Sequence, residues 1–308
     1  MTDVLDELRS ACALVAEQAE YVHIEPDRIP AYVATLPMDL PAAEPDPEVH
    51  LTAGTREELA AFWLTLDATN FGSGWFPTLH KRQGRSGYFT IATALHDRFL
   101  THGPWPAPAL ARLDEAEIAR TLGQDPKHEL MALFVSSLND LGRHVTTDHR
   151  GRFAAVVDAA GSSAVALVER LSAWDSFADT SRYNGLALPF LKRAQITAAD
   201  LTRAGVAAFR DLDRLTMFAD NLVPHVLRLD RLLTYDAALL ARIEHGELIV
   251  HGSREEVEIR ACALQTVALL AGQRAGALEA DIDAVLWHRG QGARYKALPR
   301  HRCRCTAY

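Results

Sequence analysis

The sequence predicts a mainly α-helical fold with a few short strands, and three observations carry this. Apolar residues recur at three- and four-residue steps through most of the chain, the period of an amphipathic helix. The one clear alternation, Leu186, Leu188 and Phe190, is short and follows an Asn184-Gly185 turn signal. No repeat or low-complexity segment competes, and 48% apolar with 23% charged residues is a globular composition, not a disordered one. At 308 residues the prior is two domains or one large one, long enough to bury a sizeable core. We expect a single unit over 1–308, divisible into helical subdomains of about 1–175 and 176–308.

The first helix rests on Val4, Leu5, Leu8, Ala11, Cys12, Val15 and Ala19, with Thr2 and Asp3 as cap candidates. Residues 26–49 carry Pro26, Pro30, Pro37, Pro41, Pro45 and Pro47 and read as an extended connection. Glu57–Leu66 is a short apolar helix. Asn70–Gly87 mixes Gly72, Gly74, Gly84 and Gly87 with Phe71, Trp75 and Phe76 and reads as an irregular loop. Helices are expected at 88–102, 114–122, 127–145, 151–158 and 162–172. Tyr183-Asn184-Gly185-Leu186 then predicts a hairpin, because Asn-Gly tolerates the positive φ of a type I′ turn. Pro189 cannot donate to a ladder, so its strand is an edge. Further helices are expected near 197–208, 211–218, 222–233, 236–244, 253–273 and 279–288.

Charge narrows the function. Lys and Arg total 32 against 40 Asp and Glu, a net −8 with a pI near 5.9. A protein that wraps a nucleic-acid duplex carries a basic face, so that class is disfavoured. Residues 284–308 hold six basic side chains and no acidic one, which leaves −14 on the remainder. A compact basic patch of this kind suits a small anion such as phosphate, with a solvated tail as the alternative. Tyr295 and Tyr308 argue against a wholly disordered tail. The start MTDVLDELRS shows no signal-peptide pattern, no run of 18 apolar residues exists, and the four cysteines form no disulfide framework, so a cytoplasmic protein is expected. Cys303-x-Cys305 lacks the Cys-x2-Cys spacing and second ligand pair of a structural zinc site and reads as two thiols on a strand or tail.

Chemistry has few places to sit. There is no HExxH, no GxSxG and no GxGxxG after a strand, so a single carboxylate is a more plausible centre than a nucleophilic triad. Pro224 is tolerated only in the first turn of a helix, which puts Asp220 at or beside an N-cap. It is either a plain cap or a carboxylate held for chemistry by the helix dipole. Lys192 follows the apolar Leu188-Pro189-Phe190 and either snorkels to solvent or points into a cleft. The aromatics of Asn70–Phe76 either sandwich a flat ring or plug the core.

The run Phe190–Ile196, with Leu215–Asp220, Val223-Pro224 and Val226-Leu227, resembles the queuosine salvage protein family. The likeness continues through Gly246-Glu247, Gly252, Glu255–Arg260 and Cys262, then Asp283, Leu286-Trp287, Pro299, His301-Arg302, Cys303-Arg304 and Tyr308. Earlier, Asp67, Asn70-Phe71 and Gly87-Tyr88 fit as well. Where the family usually has Asn-Phe-x-Phe-Trp, this chain has Gly72-Ser73-Gly74-Trp75 after Asn70-Phe71.

The resemblance implies a helical fold like that of helix-hairpin-helix DNA glycosylases, with a lysine and an aspartate lining the cleft. It implies hydrolysis of the N-glycosidic bond of queuosine 5′-monophosphate to release queuine, with no metal and no organic cofactor. Asp220 and Lys192 then take the catalytic positions. Asp220 stabilises the oxocarbenium-like sugar and orients or deprotonates water, while Lys192 acts at the sugar-phosphate or orients Asp220. Asp283 is the candidate for the N1–H and 2-amino donors of the base. Phe71, Trp75, Tyr88 and Trp287 are candidates for stacking, and His301 and Arg302 for the phosphate. Asn70 and Tyr308 complete the substrate-binding set. The expected partner is one free nucleotide, with no duplex and no membrane, met by a monomer. An acidic body also suits the protonatable amine on the queuine side arm. A DNA glycosylase and a non-catalytic modified-nucleoside-binding protein remain the other two classes.

Overall fold

The computed structural model describes residues 3–37 and 44–308; the cap candidate Thr2 and Pro41 of the expected connection lie outside them. The chain is mainly α. It runs α1 (Val4–Gln18), β1 (Val22–Ile24), α2 (Ile29–Val33), α3 (Arg56–Ala68), α4 (Gly87–His102), α5 (Ala107–Leu110), α6 (Glu115–Leu122), α7 (Glu129–Asp148), α8 (Phe153–Asp158) and α9 (Ala164–Ser172). A hairpin of β2 (Thr180–Tyr183) and β3 (Leu186–Pro189) follows. Then come α10 (Lys192–Arg203), α11 (Val223–Leu229), β4 (Leu233–Tyr235), α12 (Ala237–Glu244), α13 (Arg254–Gly272), α14 (Glu279–Gly290) and α15 (Ala293–Lys296). No helix among the described residues is long and apolar enough to cross a membrane.

Local chemistry explains many boundaries. Asp3 caps α1, and Thr55 with Glu58 forms a reciprocal capping box on α3. Asn184 and Gly185 both take positive φ, 47° and 85°, as the predicted type I′ turn requires.

Four expectations are corrected. The proline-rich stretch is not simply extended, because Pro26 opens a 3-10 turn and Pro30 sits in the first turn of α2. The helix expected at 197–208 runs instead from Lys192 to Arg203. Its first N–H donates to Asp179 Oδ2 at 3.0 Å, a cap supplied from outside the local sequence, and Gly205 with φ 71° follows its end. No helix spans 211–218; a single 3-10 turn, Leu212–Arg214, gives way to extended chain. The helix at 222–233 stops at Leu229, and Leu233–Tyr235 instead pairs antiparallel with β1.

Among the described residues the interior holds two large apolar clusters and a small third one of Cys303, Cys305, Ala307 and Tyr308. One gathers Phe62, Trp63, Phe134, Leu138, Leu167 and Phe177, together with Leu191, Ala194 and Leu201 of the later chain. The other joins Leu8, Cys12 and Val15 of α1 to Val226, Ile259, Val267 and Leu286. Buried polar anchors tie the elements. Glu258 accepts N–H bonds from Glu20, Tyr21 and Val22, plus the Tyr183 hydroxyl. Arg260, wholly buried, makes a two-pronged pair with Asp179 at 2.9 and 2.7 Å and donates Nε to the Ala219 carbonyl at 3.0 Å. Its guanidinium also lies 3.9 Å from the centre of the Phe190 ring and 4.6 Å from that of Tyr308. Asp179 therefore holds the start of α10, and Arg260 holds the residue before Asp220.

Candidate active site

Lys192 is aimed by an unusual residue before it. Leu191 takes φ 49° and ψ 38°, a left-handed conformation costing a side chain about 1 kcal/mol or more, kept in place by burial and by its N–H bond to the Asp179 carbonyl. The Lys192 side chain is buried, and Nζ donates to the Asn70 carbonyl at 3.1 Å. Of the two readings of this lysine, the inward one holds. Burial draws its pKa below 10.5, while Asp220 and Asp67 favour its charge.

Asp220 sits at the end of an extended, buried segment. That segment is satisfied by side chains rather than by a ladder. The Thr216 N–H donates to Gln195 Oε1 of α10 at 2.8 Å, and the Phe218 N–H to Asp283 Oδ1 of α14 at 3.1 Å. Oδ1 of Asp220 then accepts from Leu222 N at 2.7 Å and Val223 N at 3.1 Å, ahead of Pro224. Its second oxygen accepts no hydrogen bond among the described residues. Asp220 thus lies two residues ahead of the N-cap Leu222, holds the turn into α11 and lines the cleft at once.

The cleft has a volume of about 820 Å³, a size suited to a small ligand. Lys192, Asp220 and Asp283 line it with Asn70, Tyr88 and Trp287. Tyr88 and Trp287 meet edge to face with ring centres 6.0 Å apart. Arg302 and Tyr308 bring the C-terminal segment to the same wall. Arg302 Nη2 donates to the Gly246 carbonyl at 2.6 Å. Burial pushes Asp283 well up from 3.8, with Asp220 adding to the effect. Its neutral form is therefore the one the fold favours. That contribution is full below the unfolded value and is lost as pH rises through the raised one. Asp283→Asn keeps an oxygen for the Phe218 N–H. Its unfolding midpoint should climb relative to the parent as pH rises from 3.8 upward. A constant offset across pH contradicts this account.

Three expected site residues are placed differently. Trp75 is buried away from the cleft lining, and its Nε1 donates to Glu129 at 2.7 Å. Phe71 reaches the wall, but its ring is committed to Phe134, 5.1 Å away, and to the Arg193 guanidinium at 4.9 Å. His301 lies behind the lining, its imidazole pKa drawn down to about 3 by burial, so it brings no positive charge to an anion. The loop's glycines serve chain packing. A Cβ on Gly74 would run into the Cys303 carbonyl, and Gly72 N donates to the Tyr308 carbonyl at 3.0 Å.

The structure adds lining residues beyond the expected substrate-binding set, one of them from the aromatic loop Asn70–Phe76. Phe76 faces the cleft, and a Cβ on Gly87 would strike its ring, so that glycine admits it. Phe89 stands 5.9 Å from Trp287. Arg300 lines the cleft, its pKa lowered by burial against the pull of Asp220. It was visible only as one member of the acid-free basic run.

Residues 49–308 match the queuosine salvage protein family. A queuosine 5′-phosphate N-glycosylase/hydrolase of Sphaerobacter thermophilus is 36% identical over 313 residues, covering 96% of this chain and 95% of that protein. The Bos taurus protein of the same name is 30% identical over 246 residues, 72% of each chain. The one from Mus musculus is 33% identical over 189 residues, 56% of each.

Proposed function

This chain belongs to the queuosine salvage protein family, and on that premise we propose that it hydrolyses the N-glycosidic bond of queuosine 5′-monophosphate, releasing queuine and ribose 5-phosphate. The observation that carries this reading is one cleft in which Asp220 meets Lys192, Asp283 and a pair of aromatic rings.

Breaking the bond develops positive charge at the sugar C1′. The Asp220 carboxylate, with Oδ1 fixed by two amides, presents its other oxygen to stabilise that charge and to orient or deprotonate water. Queuine is a 7-deazapurine and lacks the N7 that other glycosidases protonate. Help for the departing base comes from its pyrimidine edge. Asp283 accepts its N1–H and 2-amino donors, which replace the hydration the buried carboxyl lacks and draw it toward the ionised form. Tyr88 and Trp287 flank the base, Lys192 acts at the sugar-phosphate or orients Asp220, and Arg302 serves the phosphate. Asn70 and Tyr308 complete the wall.

We place the chain in the cytoplasm as a monomer working as one catalytic unit on a helix-hairpin-helix glycosylase-like scaffold. Its four thiols, none in a disulfide, suit a reducing compartment.

Stacking supplies a discriminating expectation. Trp287→Ala should raise KM about tenfold or more, since base–aromatic stacking is worth about 1–3 kcal/mol. Trp75→Phe should leave KM unchanged. Equal effects from the two contradict the assignment. The function itself is tested by mixing the purified chain with queuosine 5′-monophosphate and following free queuine and ribose 5-phosphate. Nucleotide that binds and returns intact makes the chain a binding protein.

A further inference from the structure

We propose that His251, Cys303 and Cys305 supply three ligands of a tetrahedral zinc site, its fourth position taken by water on the exposed His251 side, and that this site staples the C-terminal segment to the loop before α13. One ligand atom from each lies within 4.8 Å of the others. Tetrahedral zinc with bonds near 2.3 Å to sulfur and about 2.0 Å to nitrogen spaces its sulfurs about 3.8 Å apart and sulfur from nitrogen about 3.5 Å, so the separations have to close by about 1.3 Å at most. The Cys-x-Cys spacing succeeds here because the segment is extended, and alternate residues of extended chain share a face. A turn would have required Cys-x2-Cys.

A second observation supports a cation. Glu256, wholly buried, has no hydrogen bond on Oε1, which lies 3.6 Å from His251 Nδ1 and 3.8 Å from Arg260 Nη1, so one carboxylate oxygen faces both the imidazole and the buried guanidinium. A carboxylate beside the imidazole is the usual companion of a ligating histidine, fixing its tautomer and orientation. Two thiolates balance the charge of Zn²⁺, and binding releases the two thiol protons to solvent. Soft sulfur ligands with one imidazole select zinc over magnesium or calcium. His251 is the exposed member and gives the ion its way in. None of the three ligands lines the cleft that Asp220 lines, so the site takes no part in bond cleavage. Its effect is to hold a segment that lends Arg302 and Tyr308 to the cleft wall.

Cobalt(II) titration of the full chain, freed of metal under reducing conditions, tests the site. The proposal expects one equivalent to give a thiolate-to-cobalt charge-transfer band and strong tetrahedral visible bands, both displaced by one equivalent of zinc. His251→Ala, Cys303→Ser and Cys305→Ser should each lose or strongly weaken the band. His251 is exposed, so its variant reports on binding without disturbing the core. Cys12→Ser, in the second apolar cluster, should keep the band. Absence of a stoichiometric band in the parent overturns the proposal, as does a band undiminished in any of the three ligand variants.

Discussion

Asp220→Asn is expected to lower queuine release roughly a thousandfold, the scale on which removal of an electrostatic partner of the transition state acts. The substitution isolates charge. Asparagine keeps an oxygen for the Leu222 and Val223 amides, so the turn into α11 is kept and stability should move by only about 0.5 kcal/mol. Nucleotide affinity should persist, because the base and phosphate contacts come from other residues. Asp220→Ala should lose the same activity and also the two bonds that hold the turn into α11. The pair of variants separates the two roles, with turnover following the charge and part of the stability following the oxygen. If Asp220→Asn retains near-native turnover, the side chain only holds the turn into α11.

Asp179→Ala should produce the largest loss of stability, about 3–5 kcal/mol, which is the usual cost of leaving one member of a buried ion pair alone. For a chain of this size that is a fall of about 10 °C in the unfolding midpoint. Arg260 has no exposed surface, and its next carboxylate, Glu256, stands 3.8 Å from Nη1. Burial works against the Arg260 charge, yet Asp179 and Glu256 leave its pKa raised. Activity should fall as well, in kcat more than in KM. Asp179 also accepts the Lys192 N–H, and Arg260 holds the Ala219 carbonyl beside Asp220. One ion pair thus positions both residues assigned to the chemistry. Asp179→Asn keeps the hydrogen-bonding shape and should lie between the parent and the alanine variant. A shift of under about 2 °C for Asp179→Ala would show that the pair is no anchor.

Periodicity exposed much of this fold, because amphipathic helices such as α1 and α7 declare themselves by their own residues. The hairpin was legible for the same reason, since Asn184-Gly185 carries its turn chemistry locally. The segment 215–220 was not, because its amides are satisfied by Gln195 and Asp283, far away in sequence. The start of α10 failed similarly, its cap being Asp179. The pairing of β1 with β4 joins Val22–Ile24 to Leu233–Tyr235, far apart in sequence, and no local pattern announces it. At the site, Pro224 marked Asp220 as a helix-start carboxylate. The direction of Lys192 is set by the left-handed Leu191 and the packing around it, which a sequence of ordinary-looking residues conceals. Aromatic content pointed to the loop after Asn70. Which ring faces the cleft follows from Gly87 admitting Phe76, and from Glu129 drawing Trp75 elsewhere.

The central claim is that this cleft hydrolyses a single free nucleotide. The most direct measurement is a time course with the purified full chain, offered queuosine 5′-monophosphate in one reaction and a queuosine-containing oligonucleotide in another. The account predicts free queuine and ribose 5-phosphate in equal amounts from the mononucleotide and no free base from the oligonucleotide. Mononucleotide that remains intact, or base released from the oligonucleotide alone, would contradict it.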